Sequence, residues 1–174
     1  TAFYPDLLDE RFVSSFAIFH QRYSTNTFPT WRLAQPFRML AHNGEINTIK
    51  GNANWMKSHE TRAASEVFGE NNDDIFPLIE PDSSDSMALD SVVEALVHAG
   101  RPMPAAQCMV VPESWSHRPH MSEAHRDFFA YCNCVIEPWD GPAALAASDG
   151  RWVIAGMDRN GLRPLRYTIT EDGL

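Results

Sequence analysis

The sequence predicts an α+β domain. Three observations carry that expectation: a period-two apolar segment near the start, helical periodicities through the middle, and a hairpin pattern near the end. The chain has 174 residues, of which 44% are apolar, enough for one domain with a buried core.

The elements follow in chain order. Residues 13–23 alternate apolar and polar positions around Phe16 and Ile18, which predicts a buried strand. Residues 24–30 are a polar turn region closed by Pro29, and residues 37–42 read as a second short strand with Asn43-Gly44 as the turn after it. From Ile46 onward, Ile49, Ala53, Met56, Glu60, Ala63 and Ala64 recur at helical spacing, weakened by Gly51. Residues 71–85 form an Asn-, Asp-, Pro- and Ser-rich loop. It feeds a helix over residues 86–99, with the stripe Leu89, Val92, Val93, Leu96 and Val97. Ser84 or Asp85 can cap that helix and Gly100 can end it. Residues 102–112 are apolar and compatible with a short helix, and residues 122–134 read as a helix capped by Ser122. Residues 143–148, the Asp149-Gly150 turn and residues 151–156 form the hairpin signal, and residues 163–169 suggest one more strand.

Composition excludes several roles. Fourteen Lys and Arg against 23 Asp and Glu leave a net charge of −9, which argues against a nucleic-acid partner. No uncharged apolar run, residues 128–136 included, approaches the length needed to span a bilayer. The acidic start TAFYPDLLDERF has no signal-peptide pattern. Three cysteines cannot all pair within the chain, so a reducing, cytoplasmic compartment is expected. The sequence opens at Thr1 without an initiator methionine and stops just past a predicted strand. Both ends are therefore expected to be cut from a longer chain.

Three segments carry residue types suited to chemistry. In HQRYSTNT, Arg22 stands at a predicted strand end, where its planar fork of donors can take a carboxylate or simply form a surface ion pair. In HNGEINT, the Asn43 amide beside the Gly44 N–H can stabilise an oxyanion, or the pair can be a plain turn. In DSSDS, Asp85 can receive an ammonium group or cap the helix. Together, a carboxylate receptor, an ammonium receptor and an oxyanion pair describe a site for glutamine.

The strings HQRYSTNTFPTW, AHNGEINTIKGNANWM, SSDS and DRNGLRPLRY resemble the class II, N-terminal-nucleophile glutamine amidotransferases over essentially the whole chain. TNTFPTW and GEINTIKGNANWM favour the glutamate synthase branch of that class. The resemblance implies part of a four-layer αββα sandwich. It places Arg22 on the glutamine α-carboxylate and Asp85 on its α-ammonium. It makes Asn43 and Gly44 the oxyanion hole, Glu45 a further substrate-contacting acid, and Thr25 a pocket-lining residue. Residues 158–164 are held to be a structural segment. It further implies hydrolysis of glutamine to glutamate and ammonia, with ammonia passed to 2-oxoglutarate in another domain that carries FMN and an iron–sulfur cluster. An electron-donating subunit or ferredoxin would be the partner. The location would be the cytoplasm, or the plastid stroma of a photosynthetic eukaryote. No cofactor is expected here, since the chain has no glycine-rich phosphate loop.

The nucleophile of that class is an N-terminal cysteine whose own amine serves as base. Cys108, Cys132 and Cys134 are all internal and read as buried, inert thiols. The expectation is an internal fragment, residues 1–174 of a partial amidotransferase domain, that carries the pocket without the nucleophile. Two alternatives stand beside it: a non-catalytic glutamine-binding module, and a hydrolase using Thr1 as nucleophile. His117, His120 and His125 with Cys132 and Cys134 supply ligand types at spacings unlike common zinc patterns, so no metal is expected. The five tryptophans are scattered and read as packing residues.

Overall fold

The structure is a computed structural model that describes residues 3–171. It is an α+β arrangement of one antiparallel sheet and four α-helices among the described residues. The sheet has the order β1 (Leu40–Gly44), β2 (Ala143–Ser148), β3 (Val153–Met157). The helices are α1 (Ile49–Glu60), α2 (Asp85–His98), α3 (Met103–Val110) and α4 (Glu123–Val135).

Register separates the two faces of the sheet. Leu40 pairs with Ala147, His42 with Leu145, and Leu145 with Gly156, so these side chains share one face. That face packs with Leu89, Val92 and Val93 of α2 and Met103, Met109 and Val110 of α3 into one core. The other face carries Ala41, Ala144, Ala146 and Ala155, with Val153 and Met157 exposed at the β3 edge.

Local chemistry sets the ends of α2. Ser84 Oγ accepts from the Met87 N–H at 3.1 Å, so Ser84 and not Asp85 is the cap. At the far end Gly100 adopts φ +99°, Gly100 N–H reaches the Val97 carbonyl and Arg101 N–H reaches that of Leu96, a Schellman closure. Within residues 102–112, Met103–Val110 form helix α3. Ser122 caps α4 through the His125 N–H, as expected.

Several expectations are corrected. Residues 13–23 form no strand and are mostly exposed; only Tyr23 bridges to Ala34. Alternation stabilises a strand only when it pairs along a partner edge, and these residues pair with none of the three strands. Residues 163–169 form no strand for the same reason, leaving Tyr167 and Ile169 exposed. β1 starts at Leu40, not 37, because the Asp90 carboxylate takes the N–H groups of Arg38, Met39 and Leu40 at 3.3, 2.9 and 2.9 Å. Asn43-Gly44 is the end of β1 and not a turn. Pairing continues past it through Glu45 N–H to the Pro142 carbonyl and Asn47 N–H to that of Asp140. Those contacts, with Ile46 N–H bound to Asp85, delay α1 until Ile49. Cys132 is buried, Cys108 half-buried and Cys134 exposed, since residues two apart on a helix face different ways. Of the tryptophans, Trp139 is in the core while Trp31 is almost fully exposed.

The crossing of residues 44–47 with 140–143 needs two glycines. A Cβ on Gly44 (φ +150°) would lie 1.7 Å from the Pro142 oxygen, and one on Gly141 (φ +153°) would lie 2.0 Å from the Glu45 oxygen. Gly150, at φ +82°, has open space around it. We therefore expect Gly141→Ala to lower unfolding free energy by about 3 kcal/mol or more, against about 1 kcal/mol for Gly150→Ala. Urea midpoints of the two variants measure the difference.

Candidate functional site

The first turn of α2 touches three separate segments. Ser84 Oγ donates to Ser24 Oγ at 2.8 Å, anchoring the loop that carries Arg22 and Thr25. Asp85 Oδ2 accepts from the Ile46 N–H at 2.7 Å. Ser86 Oγ lies 2.6 Å from His42 Nδ1. Loop 20–27, the end of β1 and the start of α2 therefore meet at one place.

A concavity of about 450 Å³ opens there. Arg22, Thr25, Asn43, Gly44 and Glu45 all line it. Arg22 is exposed and has no acidic partner among the described residues, so its guanidinium is available to an anion. Glu45 Oε1 accepts from the Asn26 amide at 3.0 Å, and Asn26 holds φ +59° to reach it. Asp85 does not line the concavity. Its Oδ1 takes the Ser86 N–H at 2.7 Å and Ser86 hydroxyl at 3.3 Å, and Oδ2 takes Ile46. Thr1 lies outside the described residues.

Eight further residues line the concavity to which the sequence reading assigned no role, among them His20, Gln35, His42 and Arg163. His42 adjoins the Asn-Gly pair and Arg163 lies in the string DRNGLRPLRY, so position in those strings was the available signal. Gln35 Oε1 accepts the His42 N–H at 2.7 Å. Burial is the first cause that pushes the His42 ring below its usual pKa. Arg163 and His20 add to it, while Asp85 and the Pro142 carbonyl act the other way. His42 Nε2 and Arg163 Nε are buried without a hydrogen-bond partner among the described residues.

Arg163 is delivered by Asp158, whose carboxylate accepts the N–H groups of Ala143, Asn160, Leu162 and Arg163 at 3.0–3.3 Å. Residues 158–163 are thus a structural loop that also reaches the site.

A larger concavity of about 710 Å³ lies between α1, α2 and residues 61–78 and holds none of these side chains. No group of three or more His, Cys, Asp or Glu side chains is placed to hold a metal among the described residues. No helix among them is long and apolar enough to cross a membrane.

Comparison with known proteins gives the family. The family described as "Glutamine amidotransferases class-II" matches residues 1–174, and the chain belongs to that family. It is similar to the NADPH glutamate synthase large chain of Azospirillum brasilense, 64% identical over 174 residues, all of this chain and 12% of the relative. The Bacillus subtilis (strain 168) NADPH glutamate synthase large chain is 52% identical over 171 residues, 98% of this chain and 11% of that one. A chloroplastic ferredoxin-dependent glutamate synthase 2 of Arabidopsis thaliana is 48% identical over 175 residues, 99% of this chain and 11% of that one. The chain thus spans about an eighth or a ninth of the length of these relatives.

Asp158 sets a pH dependence. Burial alone would raise its pKa, but the four backbone donors outweigh burial and hold it below 3.8. A depressed folded-state value stabilises the fold above the unfolded pKa, and that contribution is lost as pH falls through the folded one. We expect Asp158→Asn to lower stability by about 1–3 kcal/mol at pH 6, with the gap to wild type closing as pH falls below 3.8. Urea titrations from pH 6 to pH 3 report it.

Proposed function

We propose that this chain is the glutamine-binding and oxyanion-stabilising part of the amidotransferase domain of a glutamate synthase. The observation that carries this is the convergence of Arg22, Thr25, Asn43, Gly44 and Glu45 on one concavity from two distant segments. A free guanidinium at one side suits the α-carboxylate of glutamine. Asn43 and the Gly44 N–H suit the γ-carbonyl oxygen once it becomes an oxyanion. Asp85 would hold the α-ammonium with oxygen lone pairs left over from the Ile46 and Ser86 bonds.

In the reaction, a cysteine thiolate attacks the γ-carbonyl carbon and a C–S bond forms. The carbonyl electron pair moves to the oxygen. Collapse of that oxyanion breaks the C–N bond, and protonated nitrogen leaves as ammonia. Water then cleaves the thioester, giving glutamate and the free thiol. Cys108, Cys132 and Cys134 do not line the concavity. The thiol would come from sequence outside these 174 residues, in a protein of the length of the relatives. That same observation favours a second reading for the chain taken alone: a glutamine-binding module without turnover.

The domain would belong to an αββα sandwich. The alanine face of the sheet supports this, since small residues let a second sheet pack closely. Ammonia would pass to 2-oxoglutarate in a separate domain, with electrons from a reduced nicotinamide or ferredoxin, in the cytoplasm or a plastid. Flavin and iron–sulfur groups do not fit this chain: its three cysteines do not gather, and no phosphate-binding glycine loop is present.

In the full-length protein, Arg22→Ala should lower kcat/KM for glutamine about 10- to 100-fold and leave use of free ammonia within about twofold. Equal losses with both substrates would make Arg22 structural. Asn43→Ala should lower glutamine kcat about 100- to 1,000-fold. Steady-state assays with each nitrogen source decide both.

A further inference from the structure

The proposed chemistry leaves one buried polar pair unused. His42 is only 2% exposed and Ser86 3%, yet their polar atoms meet at 2.6 Å. Burying an imidazole is costly unless its polar atoms are used, and a leucine would fill the same space without that cost.

Ser86 Oγ meets His42 Nδ1 at 2.6 Å and Asp85 Oδ1 at 3.3 Å, so the hydroxyl joins the ring to the first turn of α2. Burial, with Arg163 and His20 nearby, keeps the ring neutral against the pull of Asp85 and the Pro142 carbonyl.

The two anchors bracket the Asn-Gly pair. Ser86 holds His42, immediately before Asn43. Asp85, its chain neighbour, holds the Ile46 N–H just after Glu45. The intervening Glu45 N–H is tied to Pro142 and the His42 N–H to Gln35. Residues 43–45 are thus flanked on both sides by bonds to the first turn of α2, in addition to the pairing of Asn43 and Gly44 with β2.

We propose that His42, through the bond of its Nδ1 to Ser86, is a positioning residue that holds Asn43 and Gly44 at oxyanion distance; this rests on the functional reading above. An oxyanion hole acts only in the transition state, so its misplacement lowers kcat and leaves ground-state binding intact.

The test uses the full-length protein that carries this sequence. Ser86→Ala and His42→Ala should each lower kcat for glutamine about 10- to 100-fold, since a displacement near 1 Å costs on that order. KM for glutamine and the inhibition constant of the product glutamate should stay within about threefold. His42→Asn, whose amide nitrogen can stand where Nδ1 stands, should recover kcat to within about fivefold of wild type. The double variant should be no worse than either single one by more than about threefold, because both break the same bond.

A Ser86→Ala kcat within threefold of wild type would overturn the inference. So would a His42→Asn kcat as low as that of His42→Ala, or KM and the glutamate inhibition constant rising in step with the loss of kcat. If His42→Ala does not fold, Ser86→Ala decides alone, since it removes a single hydroxyl from an intact helix. A wild-type protein that neither binds nor hydrolyses glutamine would overturn the functional reading instead, and this inference with it.

Discussion

The first turn of α2 is the constraint on which the site depends. Ser84, Asp85 and Ser86 are consecutive, and each hydrogen-bonds a different segment: Ser24, Ile46 and His42. The helix behind them is fixed by Leu89, Val92 and Val93, which are almost fully buried in the core. A rigid element thus transmits its position to a loop and a strand end that have little packing of their own. Fixing polar groups on a packed helix reduces the ordering cost of the site when a ligand arrives.

Two buried carboxylates play related parts with opposite electrostatic outcomes. Asp90 collects the N–H groups of residues 38–40 and so sets where β1 begins. Its burial outweighs those donors, and its pKa lies above the usual carboxylate value. Asp158 collects four N–H groups and closes the loop after β3. There the donors outweigh burial, and its pKa lies below the usual value. The former loses stability as pH rises through its folded value, and the latter gains it, because the proton binds more tightly to folded Asp90 and less tightly to folded Asp158. Each carboxylate replaces a strand partner for backbone that would otherwise be unpaired.

Much of the helical layer was legible beforehand. The α2 stripe, its Ser84 cap and Gly100 stop, the Ser122 cap of α4 and the β2–β3 hairpin all depend on interactions within a few residues. The α+β class follows from them. Residues 13–23 and 163–169 were misread, because alternation records which face a strand would bury but not whether a neighbouring edge is there. The Asn43-Gly44 dipeptide was misread as a turn for a similar reason. Its neighbour Pro142 is 98 residues away, and only that contact reveals why glycine is needed.

The residue types at the site, Arg22, Thr25, Asn43, Gly44, Glu45 and Asp85, were determined by the sequence itself, as was the family, because those strings are read without reference to distance. Tertiary structure decided their grouping. It set the first five around one concavity and turned Asp85 toward Ile46 and Ser86. It also gave places in the site to His42 and Arg163, which lie within the quoted strings, and to Gln35, which lies in none of them. The reason is that hydrogen bonds across 39, 44 or 60 residues leave no periodicity to read. They exist only once the core has brought β1 and α2 together.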